Sequence, residues 1–93
     1  MSGVFRALAD PTRRRILTLL RGGPLTAGEL ASHFEVAKAT MSAHFAVLRE
    51  AGLIGSTKRG TTVNYYLNLS VLEDALLEFA QLFGIHATPE ERR

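Results

Sequence analysis

Cysteine is absent from this 93-residue sequence, so neither a disulfide nor a thiolate metal site can form. Long apolar runs are missing too: none nears the ~20 residues that a bilayer crossing requires. The stretch from Met1 to Asp10 lacks the charged-then-apolar layout of a secretory leader. These absences predict a cytoplasmic protein. No repeat or low-complexity tract is present, and the length argues for a single domain over residues 1–93. Gly3, Gly28 and Gly52 stand alone, so no glycine-rich phosphate loop is formed. No nucleophile sits beside a base in a recognisable motif, which argues against an enzyme. His33, His44 and His86 offer no pair at i, i+4, hence no two-histidine metal face on a helix. Neither a metal nor a cofactor is expected.

The charge that is present is unevenly spread. Through Leu69 there are nine Lys and Arg against four Asp and Glu, a net of +5. From Ser70 onward two stand against five, a net of −3. Asymmetry of this kind suits a protein with a nucleic-acid end. Hydrophobic residues make up 46% of a chain too short to bury them all, which calls for a partner.

Apolar spacing then lays out the elements. Val4 to Ala9 predicts a short first helix, with Phe5 and Leu8 on one face. Asp10 and Pro11 start a second, Asp10 as cap and Pro11 in the first turn, where its missing N–H is harmless. It runs to Leu20, buries Ile16, Leu17 and Leu20, and stops at Arg21-Gly22-Gly23-Pro24. A third helix runs from Thr26 to Phe34, burying Leu30 and Phe34, with Thr26 and Glu29 spaced for a capping box. The fourth spans Ala37 to Ala51, with Met41, Phe45 and Leu48 on its buried face and Gly52 as its stop. The period then changes. Leu53 to Thr57 and Thr62 to Leu67 predict a β-hairpin with a basic tip, Lys58-Arg59-Gly60-Thr61. A last helix covers Val71 to Phe83, Gly84 ends it, and residues 84–93 form a polar tail. The fold class is mainly α with a small β-hairpin, in the order α-α-α-α-β-β-α: a winged helix-turn-helix.

That architecture points to DNA. The second helix of such a pair enters the major groove with its N-terminal residues at the base edges. With Met41, Phe45 and Leu48 inward, Ala39, Ser42, Ala43, Ala46 and Val47 face outward and Thr40 lies at an edge. Lys38 is placed for a phosphate or guanine, Thr40 and Ser42 for phosphates or base edges, and Ala39 and Ala43 for thymine methyls. His44, beside the buried stripe, serves packing or a phosphate. Lys58 and Arg59 either contact phosphates or keep an edge strand from aggregating. Of Arg13, Arg14 and Arg15, one is expected to help position DNA, the others to be solvated or paired with acids such as Asp10.

The last helix is apolar over too much of its circumference to be covered by its own domain alone. Leu72, Leu76, Phe79, Leu82 and Phe83, joined by Val4, Phe5 and Leu8, are the expected homodimer seam. Two alternatives stay open: a winged helix used for protein contact, and a sensor built on His86 with Glu73, Asp74 or Glu78.

Three stretches, Phe5 to Leu17, Glu29-Leu30-Ala31 and Thr40 to Ile54, resemble the ArsR-type family of bacterial winged-helix repressors. Lys58-Arg59-Gly60 and Tyr65-Tyr66-Leu67 fit as well. The likeness covers Val4 to Phe83 and is greatest to the family's autorepressor branch of sporulation-delay type. It implies a dimer of first and last helices, an operator near the repressor's own promoter, and release of double-stranded DNA on a signal. The cysteine pair of the family's arsenic and metal sensors is missing here. Asp74 is followed by Leu76 where the zinc-type sensors carry a histidine. Ala37 stands where the family often has a serine cap.

Overall fold

The structure, a computed structural model, describes residues 2–85. Of the predicted tail, residues 86–93, His86 included, lie outside the described residues. The order is α1 (Ser2–Leu8), α2 (Pro11–Leu20), β1 (Leu25–Thr26), α3 (Ala27–Ala31), α4 (Lys38–Glu50), β2 (Ile54–Arg59), β3 (Thr62–Leu67) and α5 (Leu69–Leu82). This is a winged helix-turn-helix, mainly helical with a small sheet. No helix among the described residues is long and apolar enough to cross a membrane.

Local chemistry sets most boundaries. Asp10 accepts a hydrogen bond from the Arg13 backbone N–H at 3.1 Å, with Pro11 opening α2. The α3 capping box is complete: the Glu29 N–H donates to Thr26 Oγ1 at 3.0 Å, and the Thr26 N–H donates to Glu29 Oε1 at 2.8 Å. Helix α3 stops at Ala31, short of Phe34, which is half-buried under the Arg15 guanidinium at 5.2 Å. At the end of α4 the Leu53 N–H reaches the Leu48 carbonyl and the Gly52 N–H that of Arg49. This Schellman closure needs a left-handed residue, and Gly52 has φ +78°.

The sheet has a strand the sequence did not announce. Leu25–Thr26 pairs antiparallel with Tyr65 and Asn64, giving the order β1-β3-β2. Two residues are too few to show alternation, so this strand had no signature. The hairpin is also tighter than expected. Arg59 pairs with Thr62, so Lys58 and Arg59 belong to β2 and the loop is Gly60-Thr61 alone. Gly60, at φ +59°, supplies the positive φ that a two-residue hairpin loop demands at its first position. Gly55 has a different purpose: a Cβ there would run into the Tyr66 ring lying across it.

Val4, Ala7, Ile16, Leu17, Leu20, Leu30, Met41, Phe45, Leu48, Leu53, Ile54, Tyr65 and Ala75 make one continuous core. The Phe45 ring stacks on Tyr65 with centroids 4.6 Å apart, fastening α4 to the wing. Helix α5 is held at its start, where Asn68 Nδ2 donates to the Gly52 carbonyl at 3.0 Å and its N–H to Leu53 at 2.9 Å. Only Ala75 of α5 is fully buried.

Two outcomes follow from the caps. Thr26→Ala is expected to lower unfolding free energy by ~1 kcal/mol, and Ala37→Ser, at an N-cap with no side-chain bond, to raise it by up to about 1 kcal/mol. Urea unfolding checks both. The second outcome concerns acid. The Arg13 backbone N–H holds the Asp10 carboxyl below its ordinary 3.8; desolvation opposes it, and His44, the Thr12 N–H and the Arg13 charge add to the lowering. A lowered folded value means the stabilisation is complete above the unfolded value and is lost as pH falls through the folded one. Asp10→Asn keeps the cap and removes the titration. Its stability is therefore expected to fall less steeply than wild type below about pH 4.

Candidate nucleic-acid interface

The site is built outward from the buried stripe of α4. Met41, Phe45 and Leu48 are 2%, 6% and 0% exposed, which fixes the rotation of the helix about its axis. At about 100° per residue, Lys38, Ala39, Ser42, Ala43 and Ala46 are then carried to the far side, and all five are exposed, as is Thr40. Val47 departs from expectation. It is half-buried and packs on the core, because the flank of α4 that carries it is covered by the rest of the domain.

The first turn of α4 is unusual in having no side-chain cap. Ala37 is the N-cap, with extended φ −63° and ψ 149°, and makes no such bond. The helix's own ladder begins with the Met41 N–H on the Ala37 carbonyl. The preceding N–H groups are thus left to water or to an anion, and the turn has no acidic residue to repel a phosphate. Lys38 adds a cation there. Beside it lies a cleft of about 400 Å³ between α3, α4 and β3, with Lys38 and Ser42 on its wall and Val63 and Tyr65 opposite. The base of the wing and the N-terminal half of α4 therefore share one concave surface.

Lys58 and Arg59 are exposed at the end of β2. Being in a paired strand rather than a loose tip, they have a defined backbone. His44 is placed differently from the other candidates. Two residues from Ser42, it is turned about 160° away around the helix. It is half-buried, with Nδ1 3.3 Å from Nη1 of Arg13. Arg13 and Arg14, expected to be solvated, paired with acids or on DNA, instead donate to carbonyls of α1: Ala7 and Arg6 for Arg13, Leu8 for Arg14. Asp10 meets the Arg13 backbone, not its guanidinium. Three consecutive arginines carry no sequence mark of this role, since the carbonyls at a helix end have no sequence of their own.

The expected seam residues are divided. Val4 is a correction: at 5% exposure it lies in the core of its own chain, because α1 packs that side on α2 and α4. Phe5, Leu8 and Leu72 are half-buried. Leu76, Phe79, Leu82 and Phe83 are open to solvent, Leu82 at 72% and Phe83 at 65%. Phe5, Phe79 and Phe83 form a continuous aromatic row, with centroids 4.9 and 5.3 Å apart. Leu69, Leu77 and Ile85, not among the expected residues, are exposed as well. Among the described residues, no three histidine, aspartate or glutamate side chains gather as a metal site; His86 lies outside them.

This geometry agrees with known proteins. A helix-turn-helix domain model matches residues 8–56. The transcriptional repressor SdpR of Bacillus subtilis is 45% identical over 76 residues, covering 82% of this chain and 84% of SdpR. The chain belongs to the ArsR family of transcriptional regulators. It is a DNA-binding transcriptional repressor of that family. The HTH-type transcriptional regulator CmtR of Mycobacterium tuberculosis is 44% identical over 77 residues, covering 83% of this chain; those residues span 65% of CmtR. The crystal structure of an ArsR family transcriptional regulator superposes with a TM-score of 0.76 at 34% identity, covering 92% of each chain.

The exposed arc of α4 and the wing should separate in their effects. Ser42→Ala is expected to weaken binding to a selected operator by about 1 kcal/mol or more while leaving affinity for random duplex nearly unchanged; Arg59→Ala weakens both alike. Fluorescence anisotropy on the two DNAs distinguishes them. Equal losses for Ser42→Ala would remove it from base reading.

Proposed function

We propose that this ArsR-family protein works as a homodimer that represses its own or a neighbouring operon by occupying a pseudo-palindromic operator in the cytoplasm. Its action is binding, with no catalytic step. Each α4 enters the major groove, with Lys38, Ala39, Thr40, Ser42 and Ala43 as the reading residues. Lys58 and Arg59 of the wing hold the flanking phosphates. The observation that carries this reading is the outward arc of α4, formed of small and hydroxyl side chains and left exposed by the other described residues.

Support for the pair comes from α5. Leu76, Phe79, Leu82 and Phe83 leave large apolar side chains in water, and a second copy of the same surface would cover them. Phe5, Leu8 and Leu72 would complete the seam. Two-fold symmetry would then present two reading helices to half-sites about one helical turn, or a multiple of it, apart.

Selection of bound duplexes from a random pool should return a two-fold-symmetric sequence, with a related sequence upstream of the protein's own gene. A pool with no enrichment would overturn the reading. Three cations per protomer predict a slope of about −5 for log affinity against log salt, and Arg59→Ala should lower its magnitude by about 2. Phe79→Glu places a charge in the seam, and sedimentation should then show monomers. An unchanged dimer would place the seam elsewhere.

A further inference from the structure

Arg13 is remote from the exposed arc of α4, yet its guanidinium touches two helices besides its own. Nε donates to the Ala7 carbonyl at 2.8 Å and Nη2 to the Arg6 carbonyl at 3.0 Å, so two carbonyls at the end of α1 are satisfied by one rigid fork. Its third arm, Nη1, lies 3.3 Å from Nδ1 of His44 in the middle of α4. At its other end α1 runs beside the end of α4, where a Cβ added to Gly3 would lie 3.9 Å from Ala51 Cα. Two points of contact fix how one helix lies along another, and the Arg13–His44 contact is the polar one.

The donor and acceptor roles in that contact follow from chemistry. A guanidinium has no lone pair to offer and stays charged, so Arg13 can only donate. Nδ1 of His44 must accept. In the neutral imidazole the proton then sits on Nε2. Arg13 thus specifies both where the His44 ring lies and which of its nitrogens carries hydrogen. It does so from a helix that presents nothing to the groove.

We infer that Arg13 is a positioning residue for operator recognition: by bridging the last carbonyls of α1 to Nδ1 of His44, it sets the lie of α4 and fixes His44 as the Nε2–H tautomer. Selectivity is the property at stake. Reading a base edge demands a placement within about half an ångström, whereas phosphate contacts tolerate more. Loosening α4 at His44 would therefore reduce binding to operator more than binding to random duplex.

The test uses the full-length protein and four variants. Nitrogen-15 spectra of the free protein should show His44 with a bare Nδ1 and a protonated Nε2. In Arg13→Met that preference should be lost. Arg13→Met and His44→Leu should each lose about tenfold in operator affinity with a smaller loss on random duplex. His44→Gln, whose side-chain oxygen can accept from Arg13, should restore most of the loss, and Arg13→Lys, which lacks the fork, should not. Should Arg13→Met fail to fold, the comparison of His44→Leu with His44→Gln leaves the bonds to α1 intact and decides the question alone. A wild-type His44 protonated on Nδ1 would overturn the inference. So would equal operator affinity for His44→Leu and wild type, or the same loss on both DNAs. The tautomer is read without DNA, so failure here is distinct from failure of the operator assignment.

Discussion

The burial of Met41, Phe45 and Leu48 is the constraint from which the functional surface follows. Three side chains at i, i+4 and i+7 lock the rotation of α4, because turning the helix by even one residue would carry a large apolar group into water. Once the helix is locked, Ala39, Ser42, Ala43 and Ala46 have no other place to go than outward. Phe45 has a second effect. Its stack on Tyr65 ties the reading helix to β3, and β3 carries the wing. The exposed arc of α4 and the wing are thus two outward faces of one core. A change that loosened Phe45 would disturb both together.

Those parts of the fold governed by local chemistry were legible in the residues. Asp10-Pro11, the Thr26–Glu29 box and Gly52 each act within one turn of chain, so their signals lie next to one another in sequence. The α4 stripe was equally plain, since a period of 3.6 is a local property. What escaped was long-range or too short to have a period. Strand β1 exists only because Leu25 and Thr26 meet Tyr65 and Asn64, forty and thirty-eight positions away. Val4 was assigned to the seam because an apolar residue on a short amphipathic helix does not announce which of two neighbours it meets. Arg13 and Arg14 were obscured by their own charge, which suggests solvent, while their actual partners are backbone carbonyls. His44 could be placed beside the stripe, but its ring contact lies thirty-one positions away in sequence.

Helix α5 shows what a short chain gives up in order to assemble. Its apolar residues outnumber what one domain can cover, and only Ala75 is fully buried. Left alone, such a helix is held by Asn68, by Val71, Leu72 and Ala75 against the core, and by the Phe5–Phe79 contact. Covering it with a second copy would turn a marginal element into a structural one and make stability depend on protein concentration. It would also place the seam and the reading helix on opposite sides of α1, the helix whose last carbonyls Arg13 holds. Any change at the seam would then have two routes to α4: through α1, and through the Asn68 bonds to Gly52 and Leu53 at the end of α4.

A net charge of only +2 bears on how such a protein must divide affinity from specificity. A strongly basic protein would bind any duplex and need its base contacts only to choose among sites. Of the nine Lys and Arg before Ser70, three belong to the proposed interface, Lys38 at the start of α4 and Lys58 and Arg59 on the wing, with the acidic excess confined to the chain after Leu69. Non-specific binding should be correspondingly weak at physiological salt, since each phosphate contact is screened and counterion release supplies most of that term. The small residues of the reading face then matter more than their size suggests. On the proposed reading, Ala39, Ala43 and Ala46 would let the helix backbone approach the bases closely and so shorten the reach of Thr40 and Ser42. Specificity on this surface is therefore a matter of fit: the position of α4 counts for more than the number of charges around it, and that position is set from behind, by the core and by the arginine at the end of α1.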